Sequence, residues 1–153
     1  MFMHLLAAED AVINRPVPDV YRYATNMELF GTWFPGVTSI QSTDDREHGQ
    51  AGKAFLETVQ VPFRGTKEIL LTVKESEMYR FFATEGKFPP LYPRMEIVFS
   101  HAGFNACRIT WRMYSRSRNP IVKLLLLPLA RRLMRTRAKV GIMNLKRIIE
   151  NKV

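Results

Sequence analysis

The chain has 153 residues, of which 46% are hydrophobic and 24% charged, a composition typical of a folded globular protein and unlike that of a disordered chain. Its one cysteine, Cys107, excludes an internal disulfide bond and any metal site built from several cysteines. The net charge of +9 belongs to the end of the chain, because residues 116–153 hold 11 lysines and arginines but only one acidic residue, Glu150. No basic segment followed by a long apolar run stands near the beginning, so we expect a cytoplasmic protein.

The first elements predicted along the chain are one strand and two short helices. Val12 and Ile13 favour a strand, which Pro16 and Pro18 would end. A helix is predicted directly after these prolines, because apolar residues then recur at helical spacing. A second short helix, rich in aromatic residues, is predicted over residues 27–34.

The middle of the chain predicts an antiparallel meander of short strands. Apolar and polar residues alternate there, and glycines, prolines and asparagines separate the alternating segments. The segment around Phe55 and the segment around Trp111 show the alternation well. The predicted strands cover residues 37–42, 53–61, 66–75, 78–84, 94–100 and 107–114.

The last element predicted is a long amphipathic helix with Asn119 as its N-cap. Pro128 lies inside this helix and should kink or break it. Counting about 100° per residue from Leu133 predicts an apolar face of Val122, Leu126, Leu129, Leu133, Val140 and Met143. The opposite side carries Arg131, Arg132, Arg135, Lys139 and Lys146. The apolar face needs a partner, and the curved sheet is the obvious candidate.

Three motifs point to a known family: I-N-R-P-V-P-D-V-Y at residues 13–21, W-F-P-G-V at 33–37 and G-K-A-F at 52–55. With this order of elements, the sequence resembles the START-like (Bet v 1-like, SRPBCC) superfamily, in its polyketide cyclase/dehydrase and lipid-transport branch. The resemblance implies one α+β domain over residues 1–153 with the helix-grip fold. In that fold a curved antiparallel sheet of about six or seven strands wraps around a long C-terminal helix, with two short helices after the first strand. The resemblance also implies an apolar cavity between sheet and helix that takes a lipid, sterol, polyketide or other aromatic compound.

Candidate ligand-binding residues follow from this arrangement. Phe30, Trp33 and Phe34 are predicted beside the cavity mouth, where they either form a lid or pack as core. The residues predicted to face inward, and either to line the cavity or to fill it, are Phe55, Glu57, Val59, Phe82, Met95, Ile97, Phe99, Trp111 and Met113 from the strands and Leu133, Arg137 and Val140 from the helix. Glu57 and Arg137 could pair inside the cavity and orient a polar ligand head, or Arg137 could extend to solvent.

We therefore expect a protein that binds a hydrophobic small molecule for transport or sensing, with no cofactor and no metal ion. The alternative is a cyclase or dehydratase for a polyketide-like substrate, in which Glu57, Tyr92 or Tyr114 supplies an acid or base. A third hypothesis is an interaction module that uses its basic surface. The basic stretch over residues 131–139 suits transient contact with an anionic membrane better than RNA, because no nucleic-acid motif and no aromatic residue accompany it. The sequence leaves the ligand and the oligomeric state open.

Overall fold

The computed structural model describes residues 3–152 and contains a seven-stranded, curved antiparallel sheet. The strands are β1 His4–Ile13, β2 Val37–Ser42, β3 Ala54–Val61, β4 Gly65–Glu77, β5 Phe81–Lys87, β6 Pro93–His101 and β7 Cys107–Ser115. Alternation of side chains makes one face of each strand apolar. In β7, for example, Ile109 and Trp111 are fully buried while Arg108 and Arg112 are exposed.

The helices lie before and after the main run of strands. Helix α1 spans Val17–Thr25, and a 3-10 helix spans Met27–Thr32. A π-helical turn over Val122–Leu126 leads directly into α2, Leu127–Glu150, and we call these two segments together the terminal helix. Asn119 caps this helix as predicted, since its Oδ1 accepts the Ile121 N–H at 2.9 Å. Pro128 stands in the first turn of α2, directly after the π-helical turn.

The strand order is β1-β7-β6-β5-β4-β3-β2, so the first two strands form the opposite edges of the sheet. The edge strand β1 pairs with β7 from His4 opposite Ser115 to Ile13 opposite Cys107. The chain must therefore cross the sheet between β1 and β2, and α1 and the 3-10 helix make that crossing. The predicted α+β helix-grip fold is confirmed.

One predicted strand boundary is displaced. The strand predicted over residues 78–84 begins at Phe81, because the preceding residues form a tight turn in which Tyr79 has φ +65° and the Arg80 N–H donates to the Glu77 carbonyl. The strand also continues past its predicted end at residue 84 as far as Lys87, so that β5 includes Gly86.

The predicted apolar face of the terminal helix is wrong for α2. The buried side of α2 carries Leu127, Ala138, Ile142, Leu145 and Ile149. Val140 is 44% exposed, and Leu129 and Met143 are each 66% exposed. The reason is that Leu133, from which the helical wheel was counted, faces a groove at one end of the molecule rather than the sheet.

The terminal helix lies very close to the segment formed by residues 30–34. A Cβ atom on Gly141 would stand 3.0 Å from Cδ2 of Phe34, so only glycine fits there without a shift. Three residues further along, Asn144 Nδ2 donates to the Trp33 carbonyl at 3.1 Å. Within residues 3–152, no helix is long and apolar enough to cross a bilayer.

Candidate functional site

The concave face of the sheet is apolar, as the strand patterns predicted. Phe55, Phe82, Met95, Ile97, Phe99 and Trp111 are at most 3% exposed. Val59 and Met113, on the same face, are half-buried. Most of this space is occupied by the protein's own side chains.

An aromatic cluster fills the centre of the interior. Phe30 stacks on Phe34 at a centroid distance of 4.9 Å, and Phe34 stacks in turn on Trp111 at 5.2 Å. Trp33 contacts Phe30 edge-on at 4.8 Å. Phe30, Trp33 and Phe34 are at most 4% exposed, so the structure places them in the core and not at the rim of a mouth.

One small cavity remains beside this cluster, and we call it the inner cavity. Its volume is about 40 Å³, room for one or two water molecules. Its lining consists of Met27, Phe30, Leu71, Gly86, Pro93, Met95 and Met113, together with two polar side chains, Glu57 and Thr84. The family resemblance implied a large cavity here, but side chains fill most of that space and leave only the inner cavity beside the aromatic cluster.

Glu57 is the chemically distinctive residue of the inner cavity. It lies on β3 between Ile40 of β2 and Ile69 of β4, and it is 8% exposed. Burial raises the pKa of its carboxyl to about 7, because charge is disfavoured away from water. Among residues 3–152, no side chain forms a hydrogen bond or an ion pair with this carboxyl.

Arg137 does not pair with Glu57. Its Nη2 donates to the Gln60 carbonyl at 3.1 Å, and its guanidinium covers Gly36 so closely that a Cβ there would stand 2.4 Å from the guanidinium carbon. Partial burial lowers the pKa of Arg137. Arg137 therefore joins the terminal helix to the end of β3 and to Gly36, and the carboxyl of Glu57 is left available to another group.

A larger apolar groove, which we call the tip groove, opens at one end of the molecule. It has a volume of about 370 Å³ and lies between the β3–β4 hairpin, the β5–β6 loop and the start of the terminal helix. Its apolar lining includes Val61, Phe63, Phe88, Leu126, Leu129 and Leu133. Of the three helix residues predicted to line a cavity, Leu133 lines this groove, Arg137 closes the space beside Gly36 and Val140 points outward.

The inner cavity and the tip groove lie in line along the same two strands. On β3, Glu57 borders the cavity and Val61 borders the groove, four residues or about 13 Å further along, with Val59 between them on the same face. On β5, Gly86 borders the cavity, and Phe88, just past the strand end, borders the groove.

Sequence reasoning missed several residues of these two sites. Met27, Leu71 and Thr84 border the inner cavity, and the alternation of β4 and β5 carried a signal for the last two. Two further unpaired groups lie in the core, because the indole N–H groups of Trp33 and Trp111 have no hydrogen-bond partner among the residues that the structure describes. Unsatisfied buried donors are costly, and their hydrogen bonds are one thing a ligand can supply.

The other residues considered for acid–base chemistry lie elsewhere. Tyr92 is 37% exposed and lies over the guanidinium of Arg116, outside the cavity, and Tyr114 follows the inward-facing Met113 and so faces the outer side of the sheet. His48 approaches Glu28 at 3.1 Å on the surface. Over residues 3–152, no group of three histidine, cysteine or acidic residues is arranged to hold a metal ion.

Comparison with known proteins gives a consistent result. Residues 6–150 match the family described as polyketide cyclase/dehydrase and lipid transport. The protein TTHA0849 from Thermus thermophilus has a similar structure, with a TM-score of 0.73, 16% identity and coverage of 94% of this chain and 95% of that one. A START superfamily protein from Mycobacterium smegmatis gives a TM-score of 0.61 at 9% identity, covering 92% of this chain and 98% of that one.

A third similar structure is larger. The di-domain ARO/CYC protein StfQ, from the steffimycin biosynthetic pathway, gives a TM-score of 0.68 at 13% identity. The match covers 94% of this chain but 48% of StfQ, so the chain spans about half of that protein. No curated protein matches the sequence.

Proposed function

Because the chain belongs to the polyketide cyclase/dehydrase and lipid transport family, we propose that it binds a hydrophobic small molecule between the sheet and the terminal helix, for transport or sensing. The concave apolar face and the tip groove support this proposal. The ligand we infer has an apolar body and at least one hydrogen-bonding group.

The single observation that carries the proposal is the unpaired carboxyl of Glu57 in an apolar cavity. A buried polar group without a partner destabilises the folded protein, and a hydrogen bond from a ligand would offset that cost. With a pKa of about 7, Glu57 can donate a hydrogen bond to a carbonyl or accept one from a hydroxyl or amine near neutral pH.

The volume and the apolar lining of the tip groove favour it as the place for the body of the ligand. Sites for small molecules enclose roughly 300–1,000 Å³. The inner cavity, at about 40 Å³, is too small, and the tip groove, at about 370 Å³, is within that range. We place the apolar body in the tip groove and its polar end toward Glu57, with Val59 on the path between them. Met27, Met95 and Met113 border the cavity, and their unbranched side chains can change rotamer to widen it.

The test measures uptake of N-phenyl-1-naphthylamine, a neutral apolar probe whose fluorescence rises on leaving water. We expect saturable binding by the wild-type protein and a loss of affinity of tenfold or more in Val59→Trp, which blocks the path. Val98→Trp is the matched control, because Val98 lies on the outer face of β6 and the substitution should leave affinity unchanged. Circular dichroism checks that both variants fold. A wild-type protein that takes up no probe, or equal binding by both variants, would contradict the proposal.

A second candidate, cyclase or dehydratase activity, is favoured by one observation. Glu57 touches the inner cavity, and a group with a pKa near the working pH is suited to general acid–base catalysis. The two functions separate when the bound molecule is recovered and weighed by mass spectrometry after incubation. A carrier releases its ligand unchanged, and a dehydratase releases a molecule lighter by one water. A cyclase releases either an isomer of equal mass, which chromatography separates from the starting molecule, or the dehydrated form of that isomer.

A further inference from the structure

Five large apolar side chains are exposed together at one end of the molecule. Phe63 at the turn between β3 and β4 is fully exposed, and Ile121, Leu124, Leu125 and Leu129 at the start of the terminal helix are between 64% and 75% exposed. We call these five residues the apolar tip. Single exposed apolar residues are ordinary on protein surfaces, but a contiguous group of this kind marks an interaction site.

The fold brings these residues together from two distant parts of the chain. Phe63 and Leu129 border the same groove, so the hairpin and the helix start are neighbours. Ile121, Leu125 and Leu129 follow one another at intervals of four residues, which places them along one side of the terminal helix.

Three cations lie beside the apolar tip. Arg64 and Lys67 border the groove next to Phe63, and Lys123 lies among the exposed leucines. No acidic residue occurs in the sequence between Glu96 and Glu150. Apolar side chains ringed by lysine and arginine are complementary to an anionic lipid surface, where the hydrocarbon accepts the apolar groups and the headgroups attract the cations.

We propose that the apolar tip docks this protein onto an anionic membrane surface, with Phe63 and the exposed leucines inserted among the lipid chains and Arg64, Lys67 and Lys123 at the headgroups. A second copy of the chain is a poorer occupant, because joining two tips would bring their cations together.

This surface differs from the basic stretch that the sequence suggested for membrane contact. Within residues 131–139, Arg131 donates to the Leu5 carbonyl at 3.1 Å and Arg137 donates to the Gln60 carbonyl. Two of the cations of that stretch therefore hold the helix to the strands. The apolar tip shares Phe63 and Leu129 with the tip groove, whereas Ile121, Leu124 and Leu125 do not line that groove. Leu125→Glu therefore tests membrane docking without changing a residue of the groove.

The experiment is flotation of the purified protein with vesicles of phosphatidylcholine alone or with 30 mol% phosphatidylserine added. We expect binding to the anionic vesicles at least tenfold tighter than to the neutral ones, and weaker binding in 0.5 M NaCl. Phe63→Glu and Leu125→Glu should each weaken binding to anionic vesicles by tenfold or more.

Two matched controls locate the effect. Phe104, 96% exposed in the β6–β7 turn, lies at the opposite end of the sheet from Phe63, so Phe104→Glu should bind as the wild type does. Met143, 66% exposed, lies on the same helix as Leu125 but near its other end, and Met143→Glu should also bind normally.

A direct readout of insertion comes from Phe63→Trp, whose added indole emission should shift to the blue on anionic vesicles, while that of Phe104→Trp should not. Three results would overturn the proposal: no vesicle binding by the wild type, undiminished binding by Phe63→Glu and Leu125→Glu, or a lipid-independent dimer that these two variants abolish in sedimentation. The last result would assign the apolar tip to a second copy of the chain.

Discussion

Glu57 shows how one residue links the stability of this protein to its function. Its neighbours on β3, Phe55 and Val59, face the same apolar interior, and a glutamate between them carries a cost that a hydrophobic residue would not. Part of this cost depends on pH, because burial disfavours the charged form more than the neutral form. Below the ordinary glutamate pKa both the folded and the unfolded states hold the proton, and the pH-dependent part of the cost vanishes.

We predict that stability falls as pH rises from about 4.5 to about 7 and that Glu57→Gln removes this fall. The folded-state pKa is raised to about 7, from the ordinary value of 4.5, so the folded protein retains a proton that the unfolded chain has released. A shift of this size corresponds to about 3 kcal/mol. Urea unfolding at a series of pH values measures it, as the difference between the wild-type and Glu57→Gln curves.

The control removes a carboxyl of the same type from the surface. Glu68, exposed on β4, lies opposite Thr58, and Glu68→Gln should leave the pH profile as in the wild type. If Glu57→Gln and the wild type lose stability in parallel with rising pH, the carboxyl of Glu57 is not the source of the fall.

At the scale of elements, the terminal helix has two apolar surfaces that serve different purposes. Ala138, Ile142 and Leu145 pack into the main core, and Leu126, Leu129 and Leu133 face the tip groove. The two surfaces lie on different sides of the helix. A helical wheel counted from one apolar residue predicts a single apolar face. It therefore predicts the wrong buried side for a helix that has two apolar surfaces.

We predict very different costs for removing a leucine from each surface. Leu145 is fully buried, so Leu145→Ala should reduce the free energy of unfolding by about 2–5 kcal/mol. Leu129 is 66% exposed, and Leu129→Ala should change it by less than about 0.5 kcal/mol. Chemical denaturation of both variants checks this prediction. Equal losses of unfolding free energy would contradict the assignment of Leu145 to the buried side of the helix and of Leu129 to the exposed side.

The strands could be predicted from the sequence and the cavity could not, for physical reasons. Alternation along β7 assigns Ile109 and Trp111 to one face whatever else the chain does, because side chains of a strand point alternately to opposite sides. The inner cavity depends on how Phe30, Phe34 and Trp111 stack, which is decided by three elements meeting. The tip groove likewise needs the hairpin at Phe63 to meet the helix at Leu129, and no local pattern reports that.

At the scale of the whole molecule, one buried arginine ties the outer face of the sheet together. Arg94 on β6, 5% exposed, reaches Glu85 on β5 at 2.7 Å and Glu96 at 2.8 Å, and Glu75 on β4 at 3.4 Å. Arg116 adds a second ion pair to Glu85 at 3.2 Å. Burial by itself would lower the pKa of Arg94, but the hydrogen bonds to Glu96 and Glu85 raise it above its ordinary value. Three strands are thus joined on the convex side, opposite the apolar concave side.

We predict that Arg94→Met destabilises the protein by about 3 kcal/mol, since it leaves two largely buried carboxylates, those of Glu85 and Glu96, without their shared cation. Arg108→Met is the matched control. The Arg108–Asp10 pair, at 2.8 Å, joins β7 to β1 on the surface, with half of each side chain exposed, and such pairs contribute under about 1 kcal/mol. Urea unfolding at neutral pH compares the two variants. Similar losses of unfolding free energy would show that the Arg94 cluster stabilises the protein no more than a surface ion pair does.

The pairing of β1 with β7 also affects how the protein folds. These two strands are far apart in the sequence, so the fold has a high contact order, and folds of this kind form slowly. During synthesis, β1 leaves the ribosome before β7 and stays without this neighbour until residue 115 has emerged, and the helix that packs on it comes later still. The nascent chain therefore carries an unprotected strand edge until β7 and the helix have emerged, and this interval is the stage at which it is most exposed to aggregation.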